Sequence, residues 1–247
     1  MKREYYQDIG YKPFLFFIIF GVSGDQLEVS TKKHKVDELP EALDIRTLTR
    51  AENGDYIDGF FTEAFGNVLK SKDESIFERC RTAEKCVVLQ GEIMKDSTLD
   101  YMRNVIGIIQ AFVDKGAIGI LDPQTISLYS SVEWTDRFFD KEINAQKHVK
   151  ILYSKDDDGY WLHTRGMLEF GRPDIGIYSV SEDKVHDYEQ IMNQMIFYGG
   201  KGLFFKEKTR LHTVDGKSFV IETKFLDDFE NNDYNNAYYI VTVLESE

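Results

Sequence analysis

Residues 86–121, CVVLQGEIMKDSTLDYMRNVIGIIQAFVDKGAIGIL, contain the pattern that decides the fold class. The almost continuous apolar run CVVLQGEI (86–93) predicts a buried strand. The next segment carries one apolar stripe at helical spacing, and it predicts a helix with Ser97 as N-cap and Gly116 just past its end. AIGIL (117–121) predicts another buried strand. Strand, helix and strand with short connections form a βαβ unit, whose strands are expected to be parallel with a right-handed crossover.

A second apolar run, FLFFIIF (14–20), stands near the beginning of the sequence. It is too short to cross a bilayer, which takes about 20 residues. Glu4 and Asp8 precede it and no clean small-residue cleavage site follows, so it predicts a buried central strand rather than a signal peptide. DQLEV (25–29) is a candidate return strand. The expected location is the cytoplasm.

The rest of the chain alternates strands with short helices and then becomes rich in strands. The predicted elements are a helix at 131–140, strands at 148–154, 159–163 and 175–180, a helix at 184–198, and strands at 217–225 and 237–244. We therefore predict an α+β fold, a mixed α/β sandwich with the βαβ unit in its N-terminal half and a strand-rich C-terminal half. Residues 1–247 are predicted to form one domain of two lobes, with a weak boundary near 138–147.

Composition limits the classes of partner. With 42% hydrophobic and 14% aromatic residues, the 247-residue chain can form a packed core. Its 43 acidic and 30 basic residues give a net charge of −13, which argues against unspecific binding to nucleic acid or anionic membranes. The same charge suits a basic protein partner, although solubility alone also explains it. Two cysteines in a chain of this length indicate a reducing compartment.

The segment GYWLHTRGMLEFGRPD (159–174) combines aromatic and basic residues between glycines and a proline. In a strand, Trp161 and His163 face the same side. Thr164 is predicted to cap a helical turn that Gly171 ends. A histidine at a strand end is expected to titrate near neutrality and could act as a base or a ligand. A structural corner between strand and helix is the alternative, and we favour it.

The same segment concentrates positive charge in an acidic protein. Arg165 and Arg172, together with His163, could receive a carboxylate or a phosphate, because arginine presents a planar fork to oxyanions. The alternative is that each arginine pairs with a local acid such as Glu169 or Asp174. Arg165 and Glu169 are spaced i, i+4, which predicts a pair on the exposed face of the turn.

Two carboxylates follow predicted parallel strands. Asp122 and Gln124 lie in LDPQT at the carboxyl end of the second strand of the βαβ unit, where open α/β sheets place ligands. Glu92 ends the preceding strand and is expected to be the neighbour of Asp122 across the sheet. The two acids could form an acid–base pair or hold a metal, but an aspartate before proline also caps a turn.

No motif of high specificity accompanies these residues. The sequence contains no GxSxG, HExxH or paired CxxC. YGGKG (198–202) follows a predicted helix and is therefore a helix end rather than a phosphate-binding loop. The acidic string 156–158 lacks the spaced ligands of a calcium loop. We predict neither a metal nor a cofactor.

AIGILDPQTISLYSSVEWTDRFF (117–139) and WLHTRGMLEFGRPD (161–174) carry a resemblance to known sequences. A strand followed by a D-P-Q turn, an aromatic-rich helix and a later H-T-x-G-M/L-x-x-F-G-x-P-D segment resembles bacterial domain-of-unknown-function families. The match covers about the middle third of the chain. The resemblance implies an immunity-type or antitoxin-type protein, and it supplies no catalytic residues.

Two hypotheses follow. The favoured one is a non-enzymatic, immunity-type binding protein that holds a basic partner with the acidic loops 225–236 and 155–158, and its candidate partner face is Asp227, Asp228 and Glu230. The alternative is an enzyme or small-molecule-binding protein. Its candidate pocket is lined by Glu92, Asp122, Gln124, Trp161, His163, Arg165 and Arg172.

Overall fold

The computed structural model describes residues 1–22 and 27–244, and the chain divides into two compact units. One unit is Phe14–Ile143, and the other joins Met1–Pro13 to Asn144–Glu247. The predicted α+β class is confirmed, because each unit contains a β-sheet with helices. Within the part of the chain that the structure describes, no helix is long and apolar enough to span a membrane.

The Phe14–Ile143 unit is built on a five-stranded sheet. Its strands are β1 (Phe14–Phe20), β2 (Asp44–Thr49), β3 (Lys85–Glu92), β4 (Gly119–Asp122) and β5 (Ser127–Ser130), and its helices are α1 (Thr31–His34), α2 (Arg50–Gly59), α3 (Glu63–Lys72), α4 (Glu74–Arg81), α5 (Asp100–Asp114) and α6 (Ser131–Phe138). The strand order is β2-β3-β1-β4-β5, and each neighbouring pair is antiparallel.

The βαβ prediction is half right. β3 and β4 run in the same direction with α5 between them in sequence, but β1 lies between them in the sheet and pairs with both. The apolar run 14–20 is therefore the buried central strand, as predicted. Its Phe20 and Ile18 face a core cluster that includes Phe61 and Phe77 from the helical region 50–81. Phe17 contacts Trp134 of α6, with ring centroids 5.4 Å apart.

The boundaries of α5 differ from the prediction at one end. The helix begins at Asp100, and the Thr98 hydroxyl accepts the N–H of Asp100 at 3.3 Å, so the prediction of Ser97 as N-cap is wrong. Gly116 follows the helix at φ +95°, as a glycine past a helix end commonly does. Of the predicted return strand 25–29, Asp25 and Gln26 lie outside the described residues, and 27–29 form no strand.

The other unit is built on a six-stranded sheet. Its elements are the helices α7 (Ala145–His148) and α8 (Val185–Gly200) and the strands β6 (Lys150–Asp156), β7 (Gly159–Arg165), β8 (Asp174–Val180), β9 (Lys208–His212), β10 (Ser218–Leu226) and β11 (Tyr238–Leu244). The strand order is β6-β7-β8-β11-β10-β9, in which β8 and β11 are parallel and the other pairs are antiparallel. The predicted strand-rich C-terminal half is confirmed.

The segment 159–174 is a corner, but it is built differently from the prediction. β7 continues through Thr164 to Arg165, so Thr164 is a strand residue and not a helix cap. The turn Met167–Phe170 is a short 3-10 helix, which Gly171 ends at φ +60° as predicted. Arg165 and Glu169 are 8% and 0% exposed, so the prediction of an exposed face is wrong. Oε2 of Glu169 lies 3.2 Å from Nδ1 of His148.

Gly107 in α5 offers a test of the first unit's packing. A Cβ added there would lie 2.0 Å from the carbonyl oxygen of His34, because α1 lies directly against this turn of α5. We expect Gly107→Ala to lower the free energy of unfolding by about 1–2 kcal/mol, although alanine raises helix propensity by about 1 kcal/mol. Gly54→Ala in α2 is the control, because no atom lies within 4 Å of its added Cβ. Denaturant unfolding of both variants measures the difference, and an equal effect at the two sites would contradict this packing.

Candidate functional site

Five ring side chains form a cluster on one face of the six-stranded sheet, which we call the aromatic face: Trp161, His163, Tyr178, Tyr234 and Tyr238. His163 pairs with Gly176 across β7 and β8, and Tyr238 pairs with Asp174 across β11 and β8. Paired residues point to the same side of a sheet. The predicted common orientation of Trp161 and His163 is confirmed, since their rings stack with centroids 3.9 Å apart.

The cluster is continuous from an exposed edge to a buried end. Tyr178, which is 43% exposed, lies parallel to Trp161 at 5.5 Å. Its hydroxyl is 3.2 Å from that of Tyr234, and Tyr234 stacks on Tyr238 at 4.0 Å. Gly176 makes room for this arrangement, because a Cβ there would lie 2.0 Å from the Tyr234 hydroxyl.

His163 is neutral at physiological pH. Its side chain is 6% exposed, and within the described structure its Nδ1 atom has no hydrogen-bond partner. Burial, assisted by the positive charge of Arg165, lowers the pKa of His163 to about 4, while Asp233 opposes the shift. The prediction of titration near neutrality is therefore wrong, because the stacked rings exclude the water that would solvate an imidazolium.

The buried Asp174 carboxyl accepts hydrogen bonds from β7, from the turn after β7 and from the segment before β11. Its Oδ1 accepts from the Thr164 hydroxyl at 2.7 Å and from the N–H of Met167 at 3.3 Å, and its Oδ2 accepts from Nδ2 of Asn236 at 2.9 Å. Burial raises the pKa of Asp174 to about 6, although these hydrogen bonds and nearby Arg165 favour the ionised form.

Residues 227–237, which we call the acidic loop, join β10 to β11 and cover part of the aromatic face. Asp227, Asp228 and Glu230 are exposed, and Phe229 between them is 46% exposed. Tyr11 contacts Phe229 at 5.8 Å, and burial together with its hydrogen bond to Asp227 raises the pKa of Tyr11 to about 12.

The far end of the acidic loop is fixed by buried groups. Nδ2 of Asn236 donates to the carbonyl of Arg172 as well as to Asp174, and Nδ2 of Asn231 donates to the Tyr238 hydroxyl at 3.2 Å. A guanidinium nitrogen of Arg165 donates to the carbonyl of Asp233 at 3.3 Å. The acidic side chains are thus presented on an anchored backbone.

The second predicted acidic segment, 155–158, lies elsewhere on this sheet. It forms the β6–β7 hairpin end, beside the end of β8 at Val180. The acidic loop lies at the opposite end of these strands, where Asp174 pairs with Tyr238. The two segments therefore do not form one continuous patch.

The Arg172 side chain forms hydrogen bonds with backbone carbonyl groups. Its guanidinium, 2% exposed, donates to the carbonyls of Gly171, Leu203, Gln7 and Gly202. Tyr6 lies 5.8 Å from this guanidinium. These four bonds help to explain why a charged group is buried here, since each guanidinium nitrogen donates to at least one oxygen.

Glu92, Asp122 and Gln124 belong to the other unit, and each has a local role or position. Asp122 Oδ1 accepts the N–H groups of Gln124 and Thr125, so the aspartate caps its turn. Gln124 donates to the carbonyl of Phe14 at 2.8 Å. Glu92 is exposed at the end of β3, and β1 lies between its strand and that of Asp122. The expectation that the two acids are neighbours across the sheet is wrong.

A cleft of about 1060 Å³ in the six-stranded unit is lined by other residues, including Lys208, Glu222 and Ile240. Neither His163 nor Arg165 lines it. Within the described chain, no group of three or more His, Cys, Asp or Glu side chains could hold a metal ion.

Sequence reasoning missed the residues that organise this site. The sequence marks Asp174 only as a possible salt-bridge partner, and it does not single out Tyr178, Tyr234 or Asn236. Strand alternation places Tyr178 with Trp161 once the β7–β8 pairing is known, so a weak signal existed. The return of Tyr234 over Gly176 depends on a contact 58 positions apart and has no local pattern.

The raised pKa of Asp174 predicts a pH-dependent stability difference. A carboxyl whose pKa rises from 3.8 unfolded to about 6 folded contributes stability below pH 3.8 and loses it as the pH rises to 6. Asp174→Asn cannot ionise. We expect the stability of wild type relative to this variant to fall between pH 4 and 6 and to stay constant above about 6.5. Thermal unfolding of both proteins across this range measures it, and a constant difference would show that Asp174 titrates normally.

Three comparisons with known proteins find no counterpart for this chain: no family model, no curated protein and no solved structure matches it.

Proposed function

We propose that this chain is a non-enzymatic binding protein, of immunity type, that holds a basic protein partner on its acidic loop. The observation that carries the proposal is the loop tip, where exposed Phe229 stands among the exposed acids Asp227, Asp228 and Glu230. An exposed apolar side chain with negative charges around it fits a partner that has an apolar pocket and a basic rim. The net charge of −13 adds long-range attraction.

The anchoring of the loop favours tight binding. Tyr11 holds the start of the loop, and Asn236 holds its end against Asp174. A loop that is already ordered loses less conformational entropy when it binds. Partly exposed Trp161 and Tyr178 extend the same sheet face with residue types that are enriched at binding hot spots.

The candidate pocket is the weaker alternative. Asp122 and Arg172 use their polar atoms to hold backbone groups of their own units, and His163 is buried as a neutral stacked ring. These roles explain the residues without a substrate. The hypothesis that these residues line a small-molecule or enzyme pocket therefore has no observation that favours it over the binding hypothesis.

A charge-reversal series tests the proposed partner face. A pull-down from the native lysate at low and high salt, with identification by mass spectrometry, supplies a candidate basic partner, which is then purified. We expect Asp227→Lys, Asp228→Lys and Glu230→Lys together to slow its association at low salt by about tenfold or more, because electrostatic steering sets the rate.

The control reverses three exposed acids at the opposite end of the sheet, Asp157, Glu182 and Asp183, for the same change in net charge. It should slow association much less than the acidic-loop variant. Equal slowing by both variants would mean that only net charge matters. An unchanged rate in the acidic-loop variant, or no protein captured at low salt, would refute the proposed face.

A further inference from the structure

A cleft of about 310 Å³ opens in the Phe14–Ile143 unit, and we call it the α5 cleft. It is lined by residues of 38–42, of 93–98 and of the first turns of α5. Its Tyr101 is buried, whereas its Leu39 and Met94 are 54% and 57% exposed. Only four large hydrophobic side chains of the described residues are more than half exposed, and two of them border this cleft. Exposed apolar side chains around a concavity are typical of a ligand site.

Asn104 lines the cleft, and within the described chain only the oxygen of its side-chain amide has a hydrogen-bond partner. The residue is 1% exposed, and its Oδ1 accepts the N–H of Asp37 at 3.1 Å. That bond fixes the orientation of the amide, and Nδ2 donates to no partner within the described chain. A ligand in the cleft that carries a carbonyl or hydroxyl oxygen could accept a hydrogen bond from this nitrogen.

The rim of the cleft carries negative charge. Lys95 pairs with Glu41 at 2.7 Å, and these two charges neutralise each other. Glu38 has no ion pair within 4 Å among the described residues. Asp100 in the first turn of α5 lies 3.5 Å from a guanidinium nitrogen of Arg103 and also offsets the positive end of that helix, so Glu38 is the acid that gives the rim its negative charge. The rim therefore favours a cationic ligand over an anionic one.

We propose that the α5 cleft binds a small α-ammonium amide, the chemistry of an amino acid amide with an apolar side chain. The ammonium lies at Glu38, the apolar side chain lies between Leu39 and Met94, and the amide carbonyl accepts from Nδ2 of Asn104. This site is independent of the acidic loop, so failure of either proposal leaves the other intact.

The probe is leucinamide, titrated into the 15N-labelled full chain and followed by amide chemical shifts. We expect saturable shifts of the Asn104 side-chain amide and of backbone amides in 93–104. Three analogues test the contacts. 3-Methylbutylamine lacks the acceptor and 4-methylpentanamide lacks the ammonium, whereas N-acetylleucine lacks the ammonium and also carries a negative charge. Each should bind several-fold more weakly than leucinamide, and N-acetylleucine should bind least.

Glu38→Gln tests the cationic contact with a surface change that leaves the fold intact. It should weaken leucinamide about two- to fivefold, the range of an exposed ion pair, and leave 4-methylpentanamide unchanged. Glu92→Gln is the control, because Glu92 is an exposed acid of the same unit outside the cleft. The proposal is overturned by the absence of saturable shifts in the cleft, by equal binding of leucinamide and 4-methylpentanamide, or by equal weakening in the two variants.

Discussion

The buried carboxyl of Asp174 is the constraint on which the aromatic face depends. Three elements donate hydrogen bonds to this one side chain: β7 through Thr164, the 3-10 turn through Met167, and the acidic loop through Asn236. A carboxyl so far from water is costly to ionise, and its hydrogen bonds offset part of that cost. The geometry of the loop is therefore tied to the geometry of the strands, and neither can shift without leaving a buried polar group unpaired.

Two buried arginines, Arg3 and Arg172, also hold backbone groups of this unit in place. Arg3 donates to the carbonyls of Gly199, Gly200 and Phe170, and Arg172 donates to carbonyls beyond the same helix end. Positive charge at the C-terminus of α8 is favourable, because the last carbonyls of a helix lack partners within it. The sequence alone suggested salt bridges with local acids. The structure shows that Arg3 in the N-terminal segment and Arg172 in the corner after β7 donate to backbone oxygens.

The parts of the fold that could be predicted are those with a local pattern. The stripe of α5, the β6–β7 hairpin and the strands β8, β10 and β11 all show their period in the sequence. β2, with the sequence DIRTLT, is an exposed edge strand and shows no apolar alternation, so it was missed. The position of β1 between β3 and β4 could not be predicted, because strand order depends on long-range pairing that leaves no trace in sequence spacing. In the site, the shared side of Trp161 and His163 followed from alternation, whereas the neutral state of His163 follows from burial by a loop about 70 positions away.

Two buried asparagines differ in how much of the side-chain amide the fold itself uses. Nδ2 of Asn236 donates to both the carbonyl of Arg172 and Oδ2 of Asp174, so its two hydrogens are used inside the fold. Asn104 uses its oxygen for Asp37 and leaves its nitrogen at the wall of a cleft. Because a buried donor without a partner is unfavourable, the two hydrogen bonds of Asn236 are explained by their contribution to stability. The second asparagine leaves a donor beside the exposed apolar side chains of Leu39 and Met94, which is where we propose that a ligand with an acceptor binds.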